Sequence, residues 1–122
     1  MPVDVTERVS AVRAVTSAPL RCHLHNTRNT GYANALAAVQ AGVRALDASS
    51  GGIGGCPFAP RATGNIATED LQYLLARSGV HTGLRLADLL APAELVGELI
   101  GKQPPGQLRL AGDFPPDKHR NG

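Results

Sequence analysis

Stretches of helical periodicity alternate along this chain with short apolar runs that read as strands, and that alternation narrows the folds open to it. Val5, Val9, Val12 and Val15 recur at helical spacing, and Asp4 with Glu7 predicts a capping-box start. This helix ends before Ala18-Pro19, and Leu20 to Leu24 follows as a short strand. A turn through Asn26 to Gly31 leads into an Ala-rich helix from about Tyr32, with Gly42 as its C-terminal cap. Val43 to Ser49 is the next strand, and a short extended piece at Asn65 to Ala67 precedes a third helix. Thr68 is that helix's predicted N-cap, with Glu69 and Asp70 placed favourably against the helix dipole. Leu71, Leu74 and Leu75 share one side of it, and it stops at Gly79. A helical pair, Leu86 to Leu90 and Ala93 to Ile100, is expected around a break near Pro92. Such alternation implies βα units with parallel strands, and three units make part of a sheet rather than a closed fold.

At 122 residues the chain is long enough for one domain with a real core. Its hydrophobic fraction of 43% and charged fraction of 18% argue for a folded protein. With no Trp, two Tyr and two Phe, the core must be built from Leu, Val, Ile and Ala. A net charge of +2 with scattered basic residues, and no row of stacking aromatics, argues against a nucleic-acid partner. No apolar run approaches the roughly 20 residues that cross a bilayer, so no membrane association is expected. Met1-Pro2-Val3-Asp4 does not open a secretory signal, and Cys22 with Cys56 is too little for a disulfide scaffold, so a cytoplasmic location is expected. Residues 113–122, with Pro115-Pro116 and a polar end, are expected to be a disordered tail after a domain spanning 1–112.

Three groups of residues can carry chemistry. His23 and His25 lie two apart in a predicted strand, so both imidazoles project to one face while Cys22 and Leu24 face the other way. Such a pair can chelate a divalent metal at the C-terminal edge of a parallel sheet, or can simply be two hydrogen-bonded surface histidines. Cys56 sits in the glycine-rich loop Ser50-Gly51-Gly52-Ile53-Gly54-Gly55-Cys56-Pro57. There it is either a thiol able to reach a ligand or a small apolar residue in a turn. The loop lacks the Gly-Lys-Ser/Thr ending of a P-loop and the spacing of a dinucleotide fingerprint. Asn65, just before a helix start, is a turn or capping residue whose side-chain oxygen can also ligate a metal.

Together the strings His23-Leu-His-Asn-Thr-Arg, Asp47-Ala-Ser-Ser-Gly-Gly-Ile-Gly-Gly-Cys-Pro-Phe-Ala-Pro and Gly64-Asn-Ile-Ala-Thr-Glu-Asp-Leu resemble the hydroxymethylglutaryl-CoA lyases, from the first helix to about Gly112. The Gly-Gly-Cys-Pro loop followed nine residues after the cysteine by Asn65 separates this resemblance from the related isopropylmalate and homocitrate synthases. The resemblance implies an α/β fold, a partial TIM (β/α)8 barrel of about its last three βα units plus C-terminal helices. It implies His23, His25 and Asn65 as ligands of Mg²⁺ or Mn²⁺, Cys56 as the catalytic thiol and His23 as a proton carrier beside the metal. Glu69 is then supporting structure or a helix start. The implied reaction is the retro-Claisen cleavage of 3-hydroxy-3-methylglutaryl-CoA, an acyl-CoA substrate, to acetyl-CoA and acetoacetate.

The same resemblance marks what this chain lacks. Family members carry an Arg-Asp pair on their first strand, the Asp as a further ligand, and no counterpart stands here. The isolated chain is therefore expected to be inactive, as a truncated lyase. The alternatives are one chain of a split enzyme, completed by a second chain or a homodimer, and a non-catalytic metal-binding remnant. Asn29 and Arg61 each stand where the resembling sequences usually carry Gly.

Overall fold

The computed structural model describes residues 1–55, 58 and 64–114. Cys56, Arg61 and nearly all of the expected tail lie outside the described residues. The chain runs α1 (Pro2–Arg13), β1 (Arg21–His23), α2 (Gly31–Gln40), β2 (Ala45–Asp47), a 3₁₀ turn (Ser50–Gly52), α3 (Thr68–Arg77), α4 (Leu86–Ile100) and α5 (Leu108–Ala111). β1 and β2 pair in parallel, with Arg21 opposite Ala45, Cys22 opposite Leu46 and His23 opposite Asp47. The βα alternation and the parallel pairing expected from the sequence are both present.

The third extended piece is not a third strand of that sheet. Among the described residues the sheet has two strands, and Asn65 and Ala67 each make one isolated bridge, antiparallel to His25 and parallel to Ser49. The segment lies across the ends of both strands. Asn26 N–H donates to the Gly64 carbonyl and Ile66 N–H to the Leu24 carbonyl, while Ser49 N–H donates to the Ile66 carbonyl and Thr68 N–H to the Ser49 carbonyl. Sequence patterning detects an extended piece but not the partner of its backbone.

Two small cores flank the sheet. Ala35, Ile66, Leu71 and Leu75 form one, with Leu24 and Leu46 packed against it. Val9, Ala38 and Val43 form the other, with Leu20 and Cys22 packed against it. Strand alternation thus sends Leu24 and Cys22 inward, as expected. The small residues of α2 let elements approach closely: a Cβ at Gly31 would lie 2.6 Å from Ile66 Cγ2 and 2.8 Å from the His25 carbonyl oxygen. Beyond the free side of β2, a groove of about 600 Å³ runs between that strand, α3 and residues 80–84. Buried Gln72 holds its far wall, donating to the Leu84 carbonyl and accepting from the Thr82 hydroxyl.

Three local expectations need correction, and one helix is added. α1 begins at Pro2, so Asp4 sits inside the first turn and does not open the helix. Ala67, not Thr68, is the N-cap of α3, because Ala67 is the last residue with extended backbone (φ −77°, ψ 136°) and Thr68 is already helical. The expected helical pair is one helix, since α4 runs through Pro92. Pro92 and Asp88 both lie on the exposed side, where water can satisfy the carbonyl that proline leaves free, while buried Ala93 packs the helix against the Gly51 turn. α5 was not foreseen, because its N-terminal support comes from Asp70, 38 residues away in sequence from Leu108.

Gly31→Ala should destabilise the chain by about 1–3 kcal/mol, since the clash is with backbone and a packed methyl. Urea unfolding followed by circular dichroism measures this, and an unchanged midpoint would contradict the packing described.

Candidate functional site

His23 ends β1 and His25 lies just beyond it, so the pleat places both rings on one side as the spacing predicts. Their Nε2 atoms are 3.1 Å apart, and the rings meet edge to face with centroids 5.1 Å apart. Behind His23, the register brings Asp47, whose Oδ2 is 3.8 Å from His23 Nδ1 and whose Oδ1 is 3.6 Å from Arg21 Nε. A carboxylate on the Nδ1 side leaves Nε2 as the outward-facing nitrogen. The sequence strings contained Asp47, but only strand register shows its relation to His23.

Asn65 is brought to the same rim by its backbone bridge to His25. Its Nδ2 donates to the Ile53 carbonyl at 3.0 Å, which fixes the amide's orientation. Its Oδ1 is buried with no hydrogen-bond partner. A buried amide oxygen without a donor is costly, so the Oδ1 of Asn65, a residue bridged through its backbone to His25, suits a divalent cation as its partner. Among the described residues no three His, Cys, Asp or Glu side chains converge, so this donor set stands at two imidazoles and one amide oxygen.

The glycine loop is stitched to Asn65 at its stem. Gly54 has φ 115° and passes so close that a Cβ would lie 2.7 Å from Asn65 Nδ2, and a Cβ at Gly64, φ 110°, would overlap the Gly54 carbonyl oxygen. Ser49 Oγ donates to the Ile53 carbonyl as well. The chain on either side of Cys56 is therefore clamped beside Asn65, while Cys56 itself lies outside the described residues. Cys22 is not a second candidate: it is half-buried against the core, and burial pushes its thiol pKa up.

Sequence reasoning missed the supports. Glu69, expected as a support or helix start, is fully buried; its Oε2 accepts from Gly51 N–H at 3.0 Å while Oε1 has no partner. Asp70, read only as a charge near a helix start, accepts from the N–H groups of Gln107 and Leu108 at 2.8–3.0 Å and from the Tyr32 hydroxyl at 3.1 Å. Tyr32, read only as a helix start, also accepts from Ala67 N–H at 3.0 Å. No local signal announces these, because each joins segments far apart in sequence. Asn29, where resembling sequences usually have Gly, adopts φ 55°, a left-handed conformation that Asn tolerates. Its N–H donates to the Asn26 carbonyl at 2.9 Å.

The HMGL-like family model matches residues 1–96, well over half of the sequence. The chain belongs to the HMGL-like family. It is 55% identical over 94 residues to the (R)-citramalyl-CoA lyase of Chloroflexus aurantiacus, covering 77% of this chain and 30% of that protein. To the hydroxymethylglutaryl-CoA lyase YngG of Bacillus subtilis it is 44% identical over 85 residues, covering 70% of this chain and 28% of the relative. This HMGL-like chain thus spans about a third or less of the length of these relatives. A solved HMG-CoA lyase from Acinetobacter baumannii, in complex with coenzyme A and 3-methylmalate, superimposes with a TM-score of 0.87 at 44% identity, over 93% of this chain and 38% of that one. The Pseudomonas aeruginosa hydroxymethylglutaryl-CoA lyase superimposes with a TM-score of 0.83 at 32% identity, over 91% and 37%. The fold is accordingly a portion of a TIM barrel, and no helix among the described residues is long and apolar enough to cross a membrane.

Burial raises the Glu69 pKa above the ordinary carboxylate value. The folded state therefore binds a proton that the unfolded state has already released, and this stabilisation is complete below pH 4.5 and lost as pH rises through the folded pKa. Glu69→Gln should flatten that part of the stability–pH profile and leave the variant at least as stable as wild type near pH 8. Urea midpoints measured from pH 5 to pH 8 test this; parallel profiles for the two proteins would count against it.

Proposed function

We propose that this chain supplies the metal-binding histidine pair, the asparagine ligand and the catalytic thiol of a carbon–carbon lyase acting on a 3-hydroxyacyl-CoA. The favoured substrate is 3-hydroxy-3-methylglutaryl-CoA, split to acetyl-CoA and acetoacetate. The observation that carries the reading is the buried, unpartnered Oδ1 of Asn65, whose backbone is bridged to His25 at the rim where His23 and His25 meet.

His23 Nε2, His25 Nε2 and Asn65 Oδ1 would hold Mg²⁺ or Mn²⁺. Such an ion, when bound, lowers the pKa of a ligated hydroxyl and orients substrate oxygens. The chain's own residues do the rest. With His23 Nε2 given to the ion, the proton leaving the substrate hydroxyl would be taken up at the Nδ1 side, shared between His23 and the Asp47 carboxylate 3.8 Å away. The carbon–carbon bond breaks as that oxygen becomes a ketone, and the bonding electron pair passes to the acetyl-CoA enolate. The Cys56 thiol donates its proton to the enolate carbon, completing acetyl-CoA. The loop stem on both sides of the cysteine is clamped on Asn65, which ties the two ends of that loop to the rim. The Arg-Asp pair implied by the family resemblance is not in this chain, so the isolated polypeptide lacks a carboxylate ligand and should not turn over.

A second reading of the acyl group rests on the 55% identity to a citramalyl-CoA lyase. It changes the substrate and not the donor set. A barrel completed with the missing strands of the Bacillus subtilis enzyme, assayed with both thioesters, ranks the two by kcat/KM. Faster cleavage of citramalyl-CoA would favour this second reading.

The isolated chain with Mg²⁺ should release no acetoacetate from 3-hydroxy-3-methylglutaryl-CoA, and measurable release would overturn the need for the missing strand. Calorimetric titration with Mn²⁺ should show weak binding that the His23→Ala, His25→Ala double variant abolishes; identical isotherms would refute the metal assignment.

A further inference from the structure

We propose that Tyr32 is a positioning residue for Asn65, acting through the backbone of Ala67. Resting on the metal-ligand reading of Asn65, the inference adds a side chain that touches neither metal nor substrate. Tyr32 lies in the first turn of α2, and its hydroxyl is the junction of two hydrogen bonds. It donates to Asp70 Oδ2 at 3.1 Å and accepts from the N–H of fully buried Ala67 at 3.0 Å.

Ala67 is two residues from Asn65 in an extended segment, so fixing one end fixes the direction in which the other's side chain leaves the backbone. Ser49 holds the segment on that side through Ile66 and Thr68, and the phenol supplies the acceptor for the Ala67 N–H that lies between them. Asp70, the other partner of the phenol, is immobilised by Gln107 and Leu108 N–H groups, so the hydroxyl hangs from a rigid anchor. Tyr32, Asn65, Ala67 and Asp70 line one cavity of about 350 Å³, closed on the far side by Gly106 and Gln107. Burial and the neighbouring carboxylates raise the phenol's pKa above its ordinary value, so the O–H needed for the Asp70 bond is retained. Phenylalanine in this place would fill the same volume but leave the Ala67 N–H unpaired.

The test uses the full chain, isotopically labelled, and compares wild type with Tyr32→Phe by nuclear magnetic resonance. Ala67 amide exchange should quicken about tenfold on losing its acceptor. The Asn65 side-chain amide signals, held apart in wild type by the bond to Ile53, should shift toward those of a free amide. Mn²⁺ affinity should fall about tenfold, the scale expected when a support of a metal ligand is removed. Unchanged Asn65 signals and an unchanged Mn²⁺ titration, even with a lowered melting temperature, would show that Tyr32 merely packs and would overturn the proposal. If the His23→Ala, His25→Ala variant binds Mn²⁺ as wild type does, the metal reading fails separately and the Asn65 signals still decide the role of Tyr32. Should Tyr32→Phe not fold, wild-type exchange in low urea answers the question. Loss of protection at Ala67 and at the Asn65 side chain with one urea dependence supports the coupling, and two different dependences refute it.

Discussion

The segment from Gly64 to Thr68 is the keystone of this chain. It bonds to the end of β1 through Asn26 and Leu24, and to the end of β2 through both backbone groups of Ser49. Ile66, fully buried at its centre, plugs the gap between the strand ends and α2, so close to Gly31 that no other residue fits there. Asn65 on one side of this plug and Ala67 on the other inherit fixed positions from it. Two strands of three residues each make little sheet by themselves, and this crosspiece turns their splayed ends into a defined rim.

Around that rim the electrostatics are arranged in two tiers. The imidazoles lie on the rim with the half-buried Asn65 amide next to them in the fold, while carboxylates of α3 hold backbone. Glu69 holds the Gly51 turn and Asp70 holds residues 107 and 108. The division has a physical logic. Carboxylates at the start of α3 are favoured by the helix dipole and can accept several N–H groups each, so they are suited to fastening loops. Neutral imidazole and amide groups can stay without a full hydrogen-bond complement at lower cost than a charge.

Much of this was legible from residue order. The βα alternation, the shared face of His23 and His25, and the inward turn of Cys22 and Leu24 all follow from periodicities of 2 and 3.6. The resemblance drawn from the His, Cys and Asn strings agrees with the family match and with the superposed lyases. What stayed hidden depends on contacts between distant residues. The crosspiece is an ordinary-looking extended triplet until its carbonyls meet Asn26 and Ser49. α5 is a four-residue helix whose N-terminal support is a carboxylate from α3. Pro92 misled in the other direction, because local preference marks a break that an exposed carbonyl and the packing of Ala93 allow the helix to cross.

The pleat of β1 also decides which donor atoms face this rim. Alternation that sends His23 outward sends its neighbour Cys22 into the core, where the thiol is kept protonated. The sulfur closest in sequence to the imidazoles is thereby withdrawn from them, and among the described residues the rim offers only nitrogen and oxygen. A lining of imidazole and amide donors without a thiolate offers a thiophilic cation such as Cu(I) less than it offers a borderline or hard divalent ion. Which donor atoms this part of the rim presents thus depends on which side of a three-residue strand the sulfur occupies.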